Sequence, residues 1–244
     1  MSTTVHEIAD GVYRLSTYVP AINMTFNQYL IDADEPLLFH TGPRAMFPLV
    51  SEAITKVMPI ERLRRITFGH LESDECGGMN LFLEAAPNAV ISHSSIGCMV
   101  SVNDLANRPP ESMVPDGVYD LGGKRIRNIE TPHVPHGWDA HVLYEESTGT
   151  LLCGDLFTQI GEASALVHDV DLVSPAVEAE DLYGFTSVTA ATAPTIRSLA
   201  DLAPRTLALM HGPAFAGDCA AALRGLAESY ADRFAASLDA AVAS

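Results

Sequence analysis

Val12 to Val19 and Thr25 to Ile31 are two runs of β-branched and aromatic residues interrupted by Pro20 and Asn23, a pattern that predicts an antiparallel strand pair. Pro36 to His40 reads as a third strand. Between Met46 and Met58 the spacing changes: Phe47, Val50, Ala53, Ile54 and Val57 recur with the period of a helix. Pro48 falls in the first turn, where a missing N–H costs nothing. Arg65 to Gly69 returns to strand, Gly77-Gly78 opens a short helix over MNLFLEAAP that must stop before Pro87, and Ala89 to Ser92 is again a strand.

The second half starts with a polar loop, NRPPESMVPDG, and then Gly117 to Leu121 and Lys124 to Thr131 flank Gly122-Gly123, a hairpin signal. His141 to Glu146 and Thr150 to Gly154 bracket a Ser-Thr-Gly turn, and Thr206 to Met210 is a late strand running into His211. Helical composition covers Glu180 to Ala203, with Pro194 expected to kink or break it, and Gly217 to Ala241, which is rich in alanine. Neither a linker nor an internal repeat is visible, and two similar halves of strands followed by helices fit a pseudo-duplicated sandwich over residues 1–244, one domain.

Composition narrows the function classes. Apolar residues make up 48% of the 244 positions and charged residues 18%, which suits a packed core and not a disordered chain. The formal charge of −17 argues against nucleic acid, since that affinity comes from Lys and Arg displacing counterions. Bound cations would offset part of it. The start MSTTVHEIADGVYRL has no basic stretch with a long apolar run, and no segment approaches a membrane span, so a cytoplasmic protein without membrane contact is expected. Cys76, Cys98, Cys153 and Cys219 form no CxxC pair, which signals neither a disulfide framework nor a thiolate zinc site.

The chemistry concentrates at strand ends. After RRITFG comes His70-Leu71-Glu72-Ser73-Asp74-Glu75, whose i, i+2, i+4 spacing cannot share a helix face but converges in a loop curling off a strand. Imidazole nitrogen and carboxylate oxygen from one short loop could serve two adjacent ions. In isolation such a segment is more often a solvated polar turn. Three further segments change that balance: TPHVPHGWD at 131–139, LLCGDLF at 151–157 and LMHGP at 209–213 each place a metal-capable side chain just beyond an apolar run.

With these segments the chain resembles the metallo-β-lactamase superfamily, and within it the di-iron domain of flavodiiron proteins, whose loop reads HxExDH where zinc hydrolases have HxHxDH. The resemblance spans nearly the whole chain and implies an α/β fold, a metallo-β-lactamase-like αββα four-layer sandwich. It implies His70, Glu72 and His136 as ligands of one metal, Asp74 and His211 as ligands of the other, and Asp155 as the bridge. His136 is preferred over His133 because the pattern sets a strand residue eight positions after the ligand, and Tyr144 stands there. Two positions depart from the pattern. Glu75 replaces the last histidine of HxExDH, leaving the second metal with an extra oxygen ligand or with water, and His40 stands in LLFHTG where relatives carry Asp-Thr-Gly. Asp74 and Glu75 are the expected catalytic residues.

Three histidines and three carboxylates make a harder donor set than zinc hydrolases use, favouring iron, with zinc or manganese as alternatives. The resemblance then implies O2 or NO chemistry. Only 33 residues follow His211, too few for a flavodoxin-like module, so no flavin is expected on this chain and electrons would come from an external redox partner, unless the protein senses O2. The alternative is a metal-dependent hydrolase using a bridging hydroxide on an ester, lactam, thioester or phosphodiester. A third reading is an interaction protein with a vestigial site. Relatives form dimers, which makes a homodimer an option. Cys76 and Cys153 read as core thiols, Trp138, Tyr183, Phe185 and Met79 as pocket lining or core, and Asp139 as an orienting residue or a turn.

Overall fold

The computed structural model describes residues 1–243. Its first half is a seven-stranded sheet in sequential order, β1 (Thr3–Ala9), β2 (Val12–Val19), β3 (Met24–Ile31), β4 (Leu37–Phe39), β5 (Arg65–Thr67), β6 (Val90–Ser94) and β7 (Glu111–Met113). The first four strands pair antiparallel; β4 to β7 run parallel, joined by α1 (Phe47–Thr55), α2 (Ser73–Cys76), α3 (Met79–Ala85), α4 (Ser95–Gly97) and α5 (Asn103–Leu105). The second sheet contains β8 (Val118–Asp120), β9 (Arg125–Glu130), β10 (His141–Glu145), β11 (Thr150–Leu152), β12 (Leu166–Val167), β13 (Thr206–Ala208) and β14 (Ala214–Phe215), in the spatial order β12-β14-β13-β11-β10-β9-β8. It is covered by α6 (Val173–Tyr183), α7 (Thr192–Ala200) and α8 (Cys219–Ala243).

Strand alternation distributes the apolar residues among layers, because successive side chains point to opposite faces. Leu30 and Leu38 face outward to Val50, Ile54, Phe82 and Leu83, while Tyr29, Ile31, Leu37 and Phe39 face inward. In the second sheet Leu143, Leu152 and Ala208 meet them across the centre, and Val142, Leu151 and Leu207 face Ile196, Leu199, Leu223 and Leu226 on the helices. Both sheets are therefore apolar on both faces, and the architecture is the four-layer αββα sandwich.

Several elements differ from the sequence reading. The helix expected over 180–203 is two: α6 ends at Gly184, which takes a left-handed φ of 59°, and α7 begins at Thr192 with Pro194 in its first turn, where proline is tolerated. β1 is an additional edge strand, and β7 lies inside the loop NRPPESMVPDG. Both have exposed positions and gain their pairing from a neighbour, so their own residues carry little signal. The short α4 and α5 turns, β12 and β14 also lacked a periodic pattern. The predicted Gly122-Gly123 hairpin is present, with φ of 74° and 89° at the two glycines.

The turn between β10 and β11 is closed by Glu145, a buried carboxylate accepting from the N–H and hydroxyl of both Ser147 and Thr148. Burial works against its charge, but these four donors outweigh it and hold the carboxyl below its ordinary range. Because the folded value is depressed, the stabilisation is present above the unfolded carboxylate pKa and is lost as pH falls through the folded one. Glu145→Gln should lower stability at neutral pH by about 1–3 kcal/mol, with a smaller difference from the native chain in acid, as measured by denaturant unfolding across pH.

Candidate metal centre

Strand direction brings the site together. β9 and β11 both run antiparallel to β10, and β13 runs parallel to β11, so the chain leaves β9, β11 and β13 at one edge of the second sheet. Those exits carry His136, Asp155 and His211. His70 follows β5 of the first sheet, and the two exits are tied by the His141 N–H donating to the Gly69 carbonyl at 2.8 Å.

Four donor groups, His70, Glu72, His136 and Asp155, offer ligand atoms that all lie within 4.8 Å of one another. Glu72 Oε2 is 2.8 Å from His70 Nε2 and 3.1 Å from His136 Nε2. Asp155 Oδ2 faces the same two rings, 3.3 Å from His136 Nε2 and 3.8 Å from His70 Nε2. Its other oxygen, Oδ1, points to His211 Nε2 at 3.5 Å, and Asp74 Oδ2 lies 3.3 Å from that same nitrogen. The six side chains thus form two donor groups with Asp155 between them. His133 is exposed in the turn before His136 and is not one of the four grouped donors.

Neighbours fix which ring nitrogen faces inward. His211 Nδ1 is 2.8 Å from the Thr25 carbonyl, and as a donor there it leaves Nε2 free. The segment carrying His211 is pinned by β2 and β3: Asn27 Nδ2 donates to the Leu209 and Gly212 carbonyls, Tyr29 Oη donates to the Leu209 carbonyl, and Arg14 donates to the Gly212 carbonyl. His70 has Glu75 behind it, with Oε1 3.3 Å from Nδ1 and Oε2 accepting the His70 N–H at 2.6 Å. Asp139 Oδ2 accepts the Leu71 N–H at 3.0 Å and pairs with His93 Nε2 at 2.8 Å, anchoring the loop between His70 and Glu72. Gly137, with φ of 81°, lets the neighbouring loop approach: a Cβ there would lie 2.9 Å from His70 Cβ.

Electrostatics follow from crowding carboxylates around buried imidazoles. Burial opposes the charged form of His70, yet Glu75, Glu72 and Asp155 push it up to about 12. His211 is likewise raised against burial, by Asp74 and Asp155. Hydrogen bonds from His136 and His70 drive Glu72 far below its ordinary range. Burial, and then Glu75, raise the Asp155 carboxyl. Asp155 Oδ1 is buried with no hydrogen-bond partner. A buried carboxylate oxygen without a hydrogen-bond partner, set with other carboxylates around imidazole nitrogens, marks a place suited to a cation, and mixed nitrogen and oxygen donors are what first-row metals take. The donor set fits a pair of such ions.

The centre opens into a pocket of about 550 Å³ lined by Glu72, Asp74, His136, Asp155, Thr158 and His211, with Ile22, Met24, Tyr183 and Phe185 as its apolar wall. Of the residues read as pocket lining or core, Tyr183 and Phe185 line the pocket. Met79 belongs to the outer core of the first sheet, and Trp138 is 40% exposed outside the pocket lining. Glu75, expected to be catalytic, is completely buried and does not line the pocket. Burial raises the Cys153 thiol well above its ordinary value and Cys76 to about 11, against a nucleophilic role. His93 and His141, buried beneath the site, were missed because a strand such as VISHS gives its histidine no ligand-like spacing.

The family model described as ODP family beta lactamase matches residues 24–212. The putative diflavin flavoprotein A 1 of Nostoc sp. PCC 7120 is 26% identical over 199 residues, 78% of this chain and 33% of that protein. The putative diflavin flavoprotein A 2 of Synechocystis sp. PCC 6803 is 26% identical over 136 residues, 54% of this chain and 23% of that protein. The chain therefore spans a third or less of the length of these relatives. Among solved structures, rubredoxin oxygen:oxidoreductase from Desulfovibrio gigas superposes with a TM-score of 0.79 at 20% identity, covering 93% of this chain and 61% of that one. The Flv1 flavodiiron core from Synechocystis sp. PCC 6803 gives 0.75 at 21%, covering 96% and 61%. The 1–254 fragment of diflavin flavoprotein A 5 from Nostoc sp. PCC 7120 gives 0.75 at 20% and covers 96% of both chains. The fold and the extent of the match lead to one assignment: the chain belongs to the ODP family of β-lactamase-like proteins, built as the metallo-β-lactamase domain of flavodiiron proteins.

Proposed function

We propose that the cluster holds two metal ions, iron in preference to zinc or manganese, and that the protein binds or reduces O2 or NO. The observation that carries this reading is Asp155, whose two oxygens face different donor groups, one with His70, Glu72 and His136 and the other with Asp74 and His211. Similarity to a rubredoxin oxygen:oxidoreductase and a flavodiiron core supports the same chemistry. Iron bound there would supply electrons to a diatomic ligand.

The chain's own residues prepare that reaction. Thr25 and Glu75 orient His211 and His70 so that Nε2 of each faces the centre. Glu72 and Asp155 bring negative charge, which favours the oxidised state of iron and weakens Lewis acidity toward water, disfavouring the hydrolytic alternative. Ile22, Met24, Tyr183 and Phe185 make an apolar approach that a small uncharged gas enters without losing hydration. Electrons for this reaction come from a redox group outside the αββα domain, or the domain acts as an O2 sensor.

The test is metal analysis of protein expressed without added metal, followed by anaerobic reduction and exposure to O2 or NO. Two irons per chain and gas binding or consumption by the reduced protein are expected. Two zinc ions, no iron, and no reaction with either gas after ferrous loading would sink the reading. Turnover of an ester, lactam, thioester or phosphodiester by the zinc form would favour the hydrolase.

A further inference from the structure

We infer that the two metal positions are unequal: a strong one built by His70, Glu72, His136 and Asp155, and a weaker, more open one built by Asp74, His211 and the remaining oxygen of Asp155. Glu75 serves the strong position as the anchor of His70 and gives no donor to the weak one. This inference rests on the dinuclear reading above, and adds which ion exchanges and where an incoming ligand binds.

The placement of Glu75 is the first support. Its carboxylate lies under the site: Oε2 accepts the His70 N–H at 2.6 Å, and Oε1 sits 3.3 Å from His70 Nδ1 and 3.3 Å from His40 Nε2. Both oxygens pack against the end of β5, where a Cβ on Gly69 would meet them at 3.1 Å. The pocket wall contains Asp74 and His211 and excludes Glu75. The two residues that depart from the family pattern are therefore each other's partners. His40, fully buried and held at a φ of 67°, brings its ring to the same oxygen that faces His70. A fixed ring bearing a carboxylate partner is a better metal donor, and such outer partners are typically worth roughly 10–100-fold in affinity.

The donor count is the second support. Four side chains converge on the strong position within 4.8 Å. Around His211 Nε2, among the described residues, the carboxylate partners are Asp74 Oδ2 at 3.3 Å and Asp155 Oδ1 at 3.5 Å. An ion with three protein donors, one of them shared, fills its remaining places with water. Asp74 and His211 line the pocket together with Ile22, Met24, Tyr183 and Phe185, and with fewer protein donors at their position an exogenous ligand displaces water there first.

Metal-free protein would be titrated with Co(II) or Mn(II) by calorimetry, with the Co(II) absorption spectrum as a second readout. Two steps are expected, the first at least about tenfold tighter, in keeping with the affinity effects of donor and outer-partner changes. Asp74→Asn should remove the second step and leave the first in place. Glu75→Gln, which keeps shape and removes charge, should weaken the first step by about 10–100-fold and move the second less. Two indistinguishable steps in the native chain, or a Glu75→Gln protein that loses the second step selectively, would overturn this inference while leaving a dinuclear site. Absence of any bound ion would overturn the dinuclear reading and this inference with it.

Discussion

Replacing Asp155 by Ala should leave a protein that takes up no second ion and releases the first at least about a hundredfold more readily, beyond the roughly 10–100-fold loss that follows removal of an outer partner. Asp155 is where the two donor groups meet. Its Oδ2 sits 3.3 Å from His136 Nε2 and its Oδ1 3.5 Å from His211 Nε2, so one truncation withdraws an oxygen from each side. The residue lies just past the end of β11 and is buried beside His70 and His211, whose imidazoles are raised by their carboxylate neighbours. Without Asp155 those rings lose part of the negative charge that favours a cation there. Equilibrium dialysis followed by elemental analysis checks this, and near-native retention of two ions would refute a bridging role. Gas reactivity should fall with the metal content, since both depend on the same carboxylate.

Phe82→Ala should have the largest effect on stability, about 3–5 kcal/mol, while metal stoichiometry stays unchanged at temperatures where the variant is folded. Phe82 is fully buried on α3 and meets the Phe47 ring edge-on at 4.9 Å, in the outer core with Val50, Ile54 and Leu83. Truncation loses transfer energy and leaves a cavity that neighbouring helices cannot fill without shifting. That core lies on the side of the first sheet away from the central layer, so the loss should register in denaturant unfolding and not in metal titration. A loss under about 1 kcal/mol would show that α3 repacks freely.

The contrast between these variants reflects how the chain divides its information. The strands and helices that build the core were legible because their apolar residues recur with the period of their own backbone: Phe47, Val50 and Ile54 on α1, or the continuous runs of β3 and β4. The site was legible as four segments because the metal-capable side chains stand just beyond those runs. What periodicity could not deliver were edge strands with few buried positions, such as β1 and β7, and the break at Gly184, where a left-handed residue ends α6 and Pro194 falls at a helix start instead of an interior.

By itself the sequence marked strands and helices whose order fits a pseudo-duplicated sandwich, and its resemblance to a known family implied the αββα class and the six candidate donors that lie together in the fold. Only the tertiary structure decided where each donor turns. Glu75 follows Asp74 directly in the chain, yet one lines the pocket while the other is buried beneath His70 with His40, because adjacent residues on the short α2 helix point in different directions and only the packed sheet end fixes what each meets. The buried pair of His93 and Asp139 joins residues far apart in sequence through the same packing. Spacing along a chain specifies which groups can reach a common edge; the direction of a side chain there depends on neighbours that become neighbours only on folding.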